Sequence, residues 1–305
     1  MIILKQMTVL FVIMLIGYYA YRRQLITEAS GKTISGIVIN IANPALILSS
    51  VISGGERIKG RDLLLTMTAA IVIFLSLLAV AEILPKLLRA EKNSRGIYKM
   101  MTVFSNFGFM GFPIIASVYG NEALLYASLF VIPYNLLIYT YGIRVLQKEQ
   151  VRVKGVAWKR VFNIGVIASL ISVLLFLTDI KLPEIPVTII TMLSSLTAPL
   201  SMLVIGASFG SMNLKKLFLD KRQLLFALIK LIIIPVIGIT LLSLFIHNRD
   251  VLGVCLVVLA APVGSMTVML AQQYEGDYEL VARGIALTTI LSVITIPLVS
   301  MILKL

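Results

Sequence analysis

The nine residues Ser105-Asn106-Phe107-Gly108-Phe109-Met110-Gly111-Phe112-Pro113 decide how this chain is read. They lie inside an apolar stretch, about 98–119, that has the length of a membrane span. Yet they put a proline, two glycines, an asparagine and a serine where an uninterrupted span would carry bulky apolar residues. Proline removes a backbone donor and clashes with the preceding turn. Glycine beside it lets the backbone unwind. A second stretch, Ala260-Ala261-Pro262-Val263-Gly264-Ser265, does the same inside the apolar run 251–272. In a bilayer such interruptions survive only where protein or a water-filled cavity satisfies the freed backbone groups. The expectation is two helices, broken near mid-membrane at Pro113 and Pro262, that cross at their breaks. The two spans run in opposite directions, so the N-termini of their second halves would meet there. Unpaired N–H groups at a helix start carry partial positive charge and bind anions. Asn106 and Ser265 add side-chain donors beside them.

Outward from these stretches, hydropathy gives ten segments, at about 2–21, 33–53, 63–84, 98–119, 123–146, 158–178, 187–210, 222–246, 251–272 and 280–303. The chain of 305 residues is 59% hydrophobic and 13% charged, with a mean hydropathy of +1.01. A soluble domain is about 45–50% apolar and about 25% charged. This composition excludes a water-soluble globule and a disordered chain. At about 20 residues per span plus a short loop, ten spans consume the length. The first segment reads as a retained helix: its start carries only Lys5, and no small-x-small cleavage site follows.

The net charge of +13 does not point to nucleic acid here, because the basic residues alternate between successive loops. With the N-terminus outside, the inside loops hold nineteen Lys and Arg and the outside seven, Lys230 being within a span. That bias places both termini on the extracytoplasmic side of the cytoplasmic membrane. The single cysteine, Cys255, excludes an intrachain disulfide and a cysteine metal cluster.

Two landmarks recur at one interval. Pro44 and Pro199 are 155 residues apart, and so are Tyr119 and Tyr274. The reading is two five-helix halves, 1–150 and 155–305, joined by the basic run at about 147–160. Five is odd, so the second half inserts upside down relative to the first. Inverted repeats of this kind belong to secondary transporters. Pro44, preceded by Asn43, and Pro199 interrupt spans two and seven, either as plain kinks or as further breaks.

Lys230 is the one clear mid-span charge, in Ala227-Leu228-Ile229-Lys230-Leu231. It is a functional candidate by its depth. The competing readings are snorkelling and a bond to a carbonyl freed by a broken helix. Either way the membrane core has positive character and no central carboxylate, which favours an anionic substrate. Thr288, Thr289 and Ser292 form one polar stripe that either faces the site or bonds its own backbone. No HExxH, P-loop, dinucleotide fingerprint or paired carboxylate occurs in the spans, so neither enzyme chemistry nor a cofactor nor a metal is expected.

Asn106 to Pro113 resembles the fourth-span signature of the auxin efflux carrier family. Ala260 to Ser265, followed by Tyr274 and Asp277, resembles its ninth-span signature, and Thr288 to Ser292 through Pro297 its last span. The resemblance covers the whole chain, and the short central loop is like that of bacterial members. It implies an all-α membrane fold of ten helices in two inverted repeats with crossed broken helices 4 and 9, shared with bile acid symporters and sodium–proton antiporters. It implies a scaffold of spans 1, 2, 6 and 7, paired as a homodimer, and a mobile transport domain of spans 3–5 and 8–10. It implies small organic anions as substrates: malate, malonate or auxin-like acids. Carried over by position, Asn106 contacts the substrate carboxylate and Asn43 faces the site from the scaffold. The third span departs from plant relatives, which carry an Asp and a Lys where this chain has Thr66-Met67-Thr68-Ala69-Ala70.

The expected function is a secondary carrier of small organic anions working by elevator-type alternating access. Its expected site is Asn43, Pro44, Asn106, Gly108, Gly111, Pro113, Pro262, Gly264 and Ser265, with Lys230 setting the field. A channel and an integral membrane enzyme are the competing classes.

Overall fold

The computed structural model describes residues 2–52, 60–146, 162–178, 180, 182–210, 218–273 and 277–303. The run 147–160, the expected boundary between the halves, and Tyr274 lie outside them. Among the described residues every regular element is a helix. α1 is Ile2–Arg22. α2, Glu28–Ile37, passes through a π-helical turn, Val38–Ala42, into α3, Asn43–Ile52. α4 is Gly60–Leu87 and α5 is Arg95–Val103. A π-helical turn, Phe107–Gly111, leads into α6, Phe112–Tyr119. α7, Ala123–Leu137, continues through a third such turn, Ile138–Gly142, into α8, Ile143–Leu146. α9 is Ile164–Thr178, α10 Glu184–Ser195 and α11 Thr197–Phe209. α12, Lys221–Leu228, runs through Ile229–Ile233, again π-helical, into α13, Ile234–Leu242. α14 is Arg249–Ala260, α15 Ser265–Gln273 and α16 Tyr278–Ile302.

The prolines explain three of the four wide turns. Those at Val38–Ala42, Phe107–Gly111 and Ile229–Ile233 end two residues before Pro44, Pro113 and Pro235. A proline ring collides with the carbonyl four residues back and offers no N–H, and a π-turn relieves both faults without stopping the helix. Pro44 is therefore a kink in a helix that carries on, whereas Pro199 lies in the first turn of α11, just after the turn at Leu196 that separates it from α10. Pro113 likewise sits in the first turn of α6, where a missing N–H costs nothing. The expected break at Pro113 is corrected: the chain leaves the helix earlier, at Phe104–Asn106. Pro262 does lie in a break, between α14 and α15. α2 begins earlier than hydropathy suggests, because Thr27 and Ser30 form a reciprocal capping box before the apolar run.

Six helical runs are long and apolar enough to cross a membrane: Glu28–Ser49, Gly60–Leu87, Ala123–Leu146, Glu184–Phe209, Lys221–Leu242 and Glu279–Ile302. Phe107–Tyr119 and Ile164–Thr178 are shorter apolar helices. Their outward faces carry exposed Leu64, Leu75, Ile83, Leu174, Ile185 and Ile237. So much exposed aliphatic surface is at home in lipid.

Packing places the two breaks together. α1 lies along α11. A Cβ on Gly17 would strike the carbonyl oxygen of Leu203, and one on Gly206 that of Met14. These glycines let two backbones touch, as small residues do between membrane helices. α3 packs on α9 and α10, and α2 on α11. α4 packs on α5 and α7, α13 on α14, and α15 on α16. α14 also reaches α4, α6 and α7, and so carries its break to that of the α5–α6 pair.

Candidate functional site

After Val103 the backbone of Phe104 turns extended (φ −101°, ψ 96°), and after Ala260 that of Ala261 does the same (φ −61°, ψ 144°). The two extended pieces run antiparallel, with Ser105 opposite Val263. The Asn106 N–H donates to the Pro262 carbonyl at 2.6 Å, and the Gly264 N–H to the Phe104 carbonyl at 2.8 Å. Each break thus satisfies backbone groups the other sets free, which an apolar interior demands. Gly264 is dictated by this approach. A Cβ there would lie 2.9 Å from the Ser105 carbonyl oxygen and 3.1 Å from that of Phe104.

Four helix ends converge on this crossing. α5 and α14 end one residue before it, and the Phe107 turn and α15 begin one residue after it. At the two starts, Phe107 N–H donates to Ser105, Met110 and Gly111 N–H to Asn106, and Thr267 N–H to Gly264. The amides of Gly108, Phe109, Ser265 and Met266 take no acceptor among the described residues. They are the unpaired first-turn donors of two helix starts on either side of one bridge.

The side chains differ between the two breaks. Lys230, fully buried in the π-turn before α13, donates from Nζ to the Thr102 carbonyl at 3.1 Å and to Ser105 Oγ at 2.8 Å. Of the readings open for Lys230, this is the bond to a freed carbonyl: it holds the C-terminal end of α5, where a cation complements the helix dipole. Asn43, at the start of α3, donates from Nδ2 to the Gly108 carbonyl at 3.1 Å, and its Oδ1 is buried without a partner. Asn106 is only 4% exposed, and its carboxamide makes no hydrogen bond to another described residue. At the second break Thr288 Oγ1 accepts from Val263 N–H at 3.1 Å and donates to the Gly284 carbonyl at 2.7 Å. The polar stripe of the last helix therefore does both things: Thr288 bonds its own backbone and also the break. Ser292 Oγ bonds the Thr289 carbonyl.

The site residues expected from sequence fall into three groups. Asn43, Asn106, Gly108, Pro262 and Gly264 meet at the crossing. Ser265, half-buried, opens α15 directly beside it. Gly111 and Pro113 lie one to two turns along, with Gly111 packed on the Phe107 ring, and Pro44 follows Asn43 in a continuous helix. Ser105, Thr102 and Thr288 were not among the expected site residues. A mid-span lysine requires a polar partner, but Ser105 and Ser265 stand equally open as candidates beside the two interrupted stretches, and nothing in the sequence points to the pairing with Ser105. A crevice beside Ser105, lined by Phe74, Val103, Phe107, Phe130, Tyr134 and Val258, is too tight for a water molecule. Among the described residues no three His, Cys, Asp or Glu side chains gather where they could hold a metal ion.

The sequence resembles known proteins over most of its length. The family model described as Membrane transport protein matches residues 2–300. The uncharacterized transporter MJ1031 of Methanocaldococcus jannaschii is 28% identical over 98% of this chain and 98% of its own. An uncharacterized transporter of Methanothermobacter thermautotrophicus is 23% identical over 96% of this chain and 95% of its own. The uncharacterized transporter YfdV of Escherichia coli K12 is 22% identical over 57% of this chain and 58% of its own.

Proposed function

The chain belongs to the membrane transport protein family, that of the auxin efflux carriers, and from that premise we propose that it is a secondary carrier of small organic anions. As a multi-pass membrane protein it moves its substrate past the crossing of the two broken helices. The observation that carries this reading is the buried residue Asn106, whose carboxamide bonds no other described residue, set beside the amides of Gly108, Phe109, Ser265 and Met266, which take no acceptor among the described residues. Donors grouped at two helix starts suit a carboxylate. The unpartnered Oδ1 of Asn43 asks for a donor in return. Within the class of small carboxylates, that favours a hydroxy acid or a half-protonated dicarboxylate.

The proposal extends to mechanism. The ten-segment, two-repeat arrangement divides into a scaffold (α1–α3 and α9–α11) and a transport domain (α4–α8 and α12–α16). The packing of α1 and α2 on α11, and of α3 on α9 and α10, supports the scaffold grouping. The crossing and the Lys230 bonds tie α5, α12–α13 and α14–α15 into one body, which supports the other. Asn43 is then a scaffold residue touching the moving body at Gly108. Elevator-type sliding breaks that contact and carries the anion with the crossing. A second copy would pair through the scaffold, and the basic loops would face the cytoplasm of the cell membrane. With no carboxylate at the crossing among the described residues, gradient and membrane potential are proposed to drive transport, with proton symport through the substrate's own ionisation as the alternative.

Purified protein in proteoliposomes tests this. Anion flux is expected to fall to background in Asn106→Ala while thermal stability and size-exclusion profile stay near wild type. Unchanged flux in a folded Asn106→Ala protein overturns the site.

A further inference from the structure

A second polar place lies far along α4 from the crossing. The last turns of α4, the first of α5 and the π-turn leading into α8 enclose a cleft of about 440 Å³. Among the described residues its charged lining is Lys86, Arg95, Lys99, Arg144 and one carboxylate, Glu82. Glu82 is committed twice: Lys99 forms an ion pair with it, and Tyr141 Oη donates to it at 3.1 Å. Lys86, Arg95 and Arg144 therefore remain as an excess of positive charge. The cleft is built rather than incidental. Gly96 brings α5 against α8, since a Cβ there would strike the Val145 carbonyl oxygen. Arg95 is held by its Nε bond to the Ala90 carbonyl at 3.2 Å.

Position indicates what the cleft meets. α4 has 28 residues, about 42 Å at 1.5 Å per residue, against about 30 Å of hydrocarbon. Its final turns therefore stand in the headgroup layer. Ile83 and Leu87, both about two-thirds exposed, are next to the charged lining along α4 and face outward. Cations over exposed aliphatic surface at the end of a span match a phosphodiester with its acyl chains. We propose that this cleft binds the headgroup of an anionic phospholipid, with Lys86 and Arg144 on the phosphate and the lipid tails along Ile83 and Leu87.

The test uses the full chain in detergent, with thermal stability and native mass spectrometry as readouts. Phosphatidylglycerol is expected to raise the melting temperature and to remain bound, whereas phosphatidylcholine does neither. In Lys86→Gln/Arg144→Gln the phosphatidylglycerol needed for half the effect should rise about thirtyfold. The charge-conserving Lys86→Arg/Arg144→Lys should keep most of the effect. Equal stabilisation by phosphatidylcholine, or an undiminished effect in the Gln variant, overturns the proposal. If glycerol phosphate or inorganic phosphate reproduces the effect without a lipid, the cleft is a soluble-phosphate site and the lipid assignment is wrong. Should the Gln variant fail to fold, wild type decides: added salt must weaken phosphatidylglycerol binding, and salt-insensitive binding overturns the proposal.

Discussion

The two broken helices share one backbone solution and differ in what holds it. The break between α14 and α15 is secured from nearby in sequence: Thr288, 25 residues on, accepts from Val263 N–H. The break between α5 and α6 is secured from far away. Lys230 reaches it across 125 residues at Ser105, and Asn43 across 65 at Gly108. The crossing bonds are nearly symmetrical; the side chains around them are not. The first break carries the amine, Asn106 and the contact with α3, and the second carries hydroxyls: Thr288, bonded to Val263 N–H, Ser265 at the start of α15, and Thr267, buried without a partner. A crossing alone therefore supplies helix starts, whereas the amine and the link to α3 are concentrated on one of the two helices.

The harshest way to break this comparison is to attack what the breaks share. Gly264→Leu drives a side chain into the Phe104 and Ser105 carbonyls. It should separate the pieces, forfeit both bridging bonds and cost about 3 kcal/mol or more, seen as loss of monodisperse protein or a large fall in melting temperature. A stable Gly264→Leu protein would mean the close approach is not what holds the crossing. Lys230→Met comes next. It leaves the Thr102 carbonyl and Ser105 Oγ unpaired in an apolar interior, at about 2 kcal/mol, and removes the one amine from the first break, so flux should fall as well as stability. Thr288→Val should cost about 1 kcal/mol and spare most of the flux, while Thr288→Ser restores the stability. Equal flux losses in Lys230→Met and Thr288→Val would erase the asymmetry.

How far these features could be read in the sequence follows from the range of the interactions behind them. Pro262 with Gly264 marked its break correctly, because the cause is local: a residue without N–H beside one without Cβ. Pro113 misplaced the other break, because a proline reports only that the preceding turn must widen. The π-turn at Phe107–Gly111 absorbs that strain, and the departure from the helix falls at Phe104–Asn106. Asn106 was legible as a polar residue at membrane depth. The partner of Lys230 was not, since nothing local links residue 230 to residues 102 and 105. The spacing of Pro44 and Pro199 located two irregularities of different kinds, a π-turn before Pro44 and a turn at Leu196 before Pro199, while its companion pair includes Tyr274, outside the described residues. The basic cleft was hidden among loop charges that read only as orientation; it exists because Gly96 lets α5 touch α8.

The smallest stability effect is the most informative about transport. Asn43→Ala removes one hydrogen bond, to the Gly108 carbonyl, worth about 0.6 kcal/mol for a side-chain bond in a membrane protein. It also removes a buried acceptor that had no partner, which offsets part of that loss. Melting should therefore barely move. Transport should move more, and selectively. If Asn43 Oδ1 accepts from the substrate, competition by a hydroxy dicarboxylate should weaken in Asn43→Ala, while competition by the same dicarboxylate without its hydroxyl stays as it was. Asn43→Asp sharpens the result, because a carboxylate there keeps an acceptor, loses the donor to Gly108 and repels an anion held by Asn106; both competitors should weaken together. Equal competition by the two acids in wild type and in Asn43→Ala would confine Asn43 to bracing Gly108. Recognition would then rest on Asn106 and the helix starts alone.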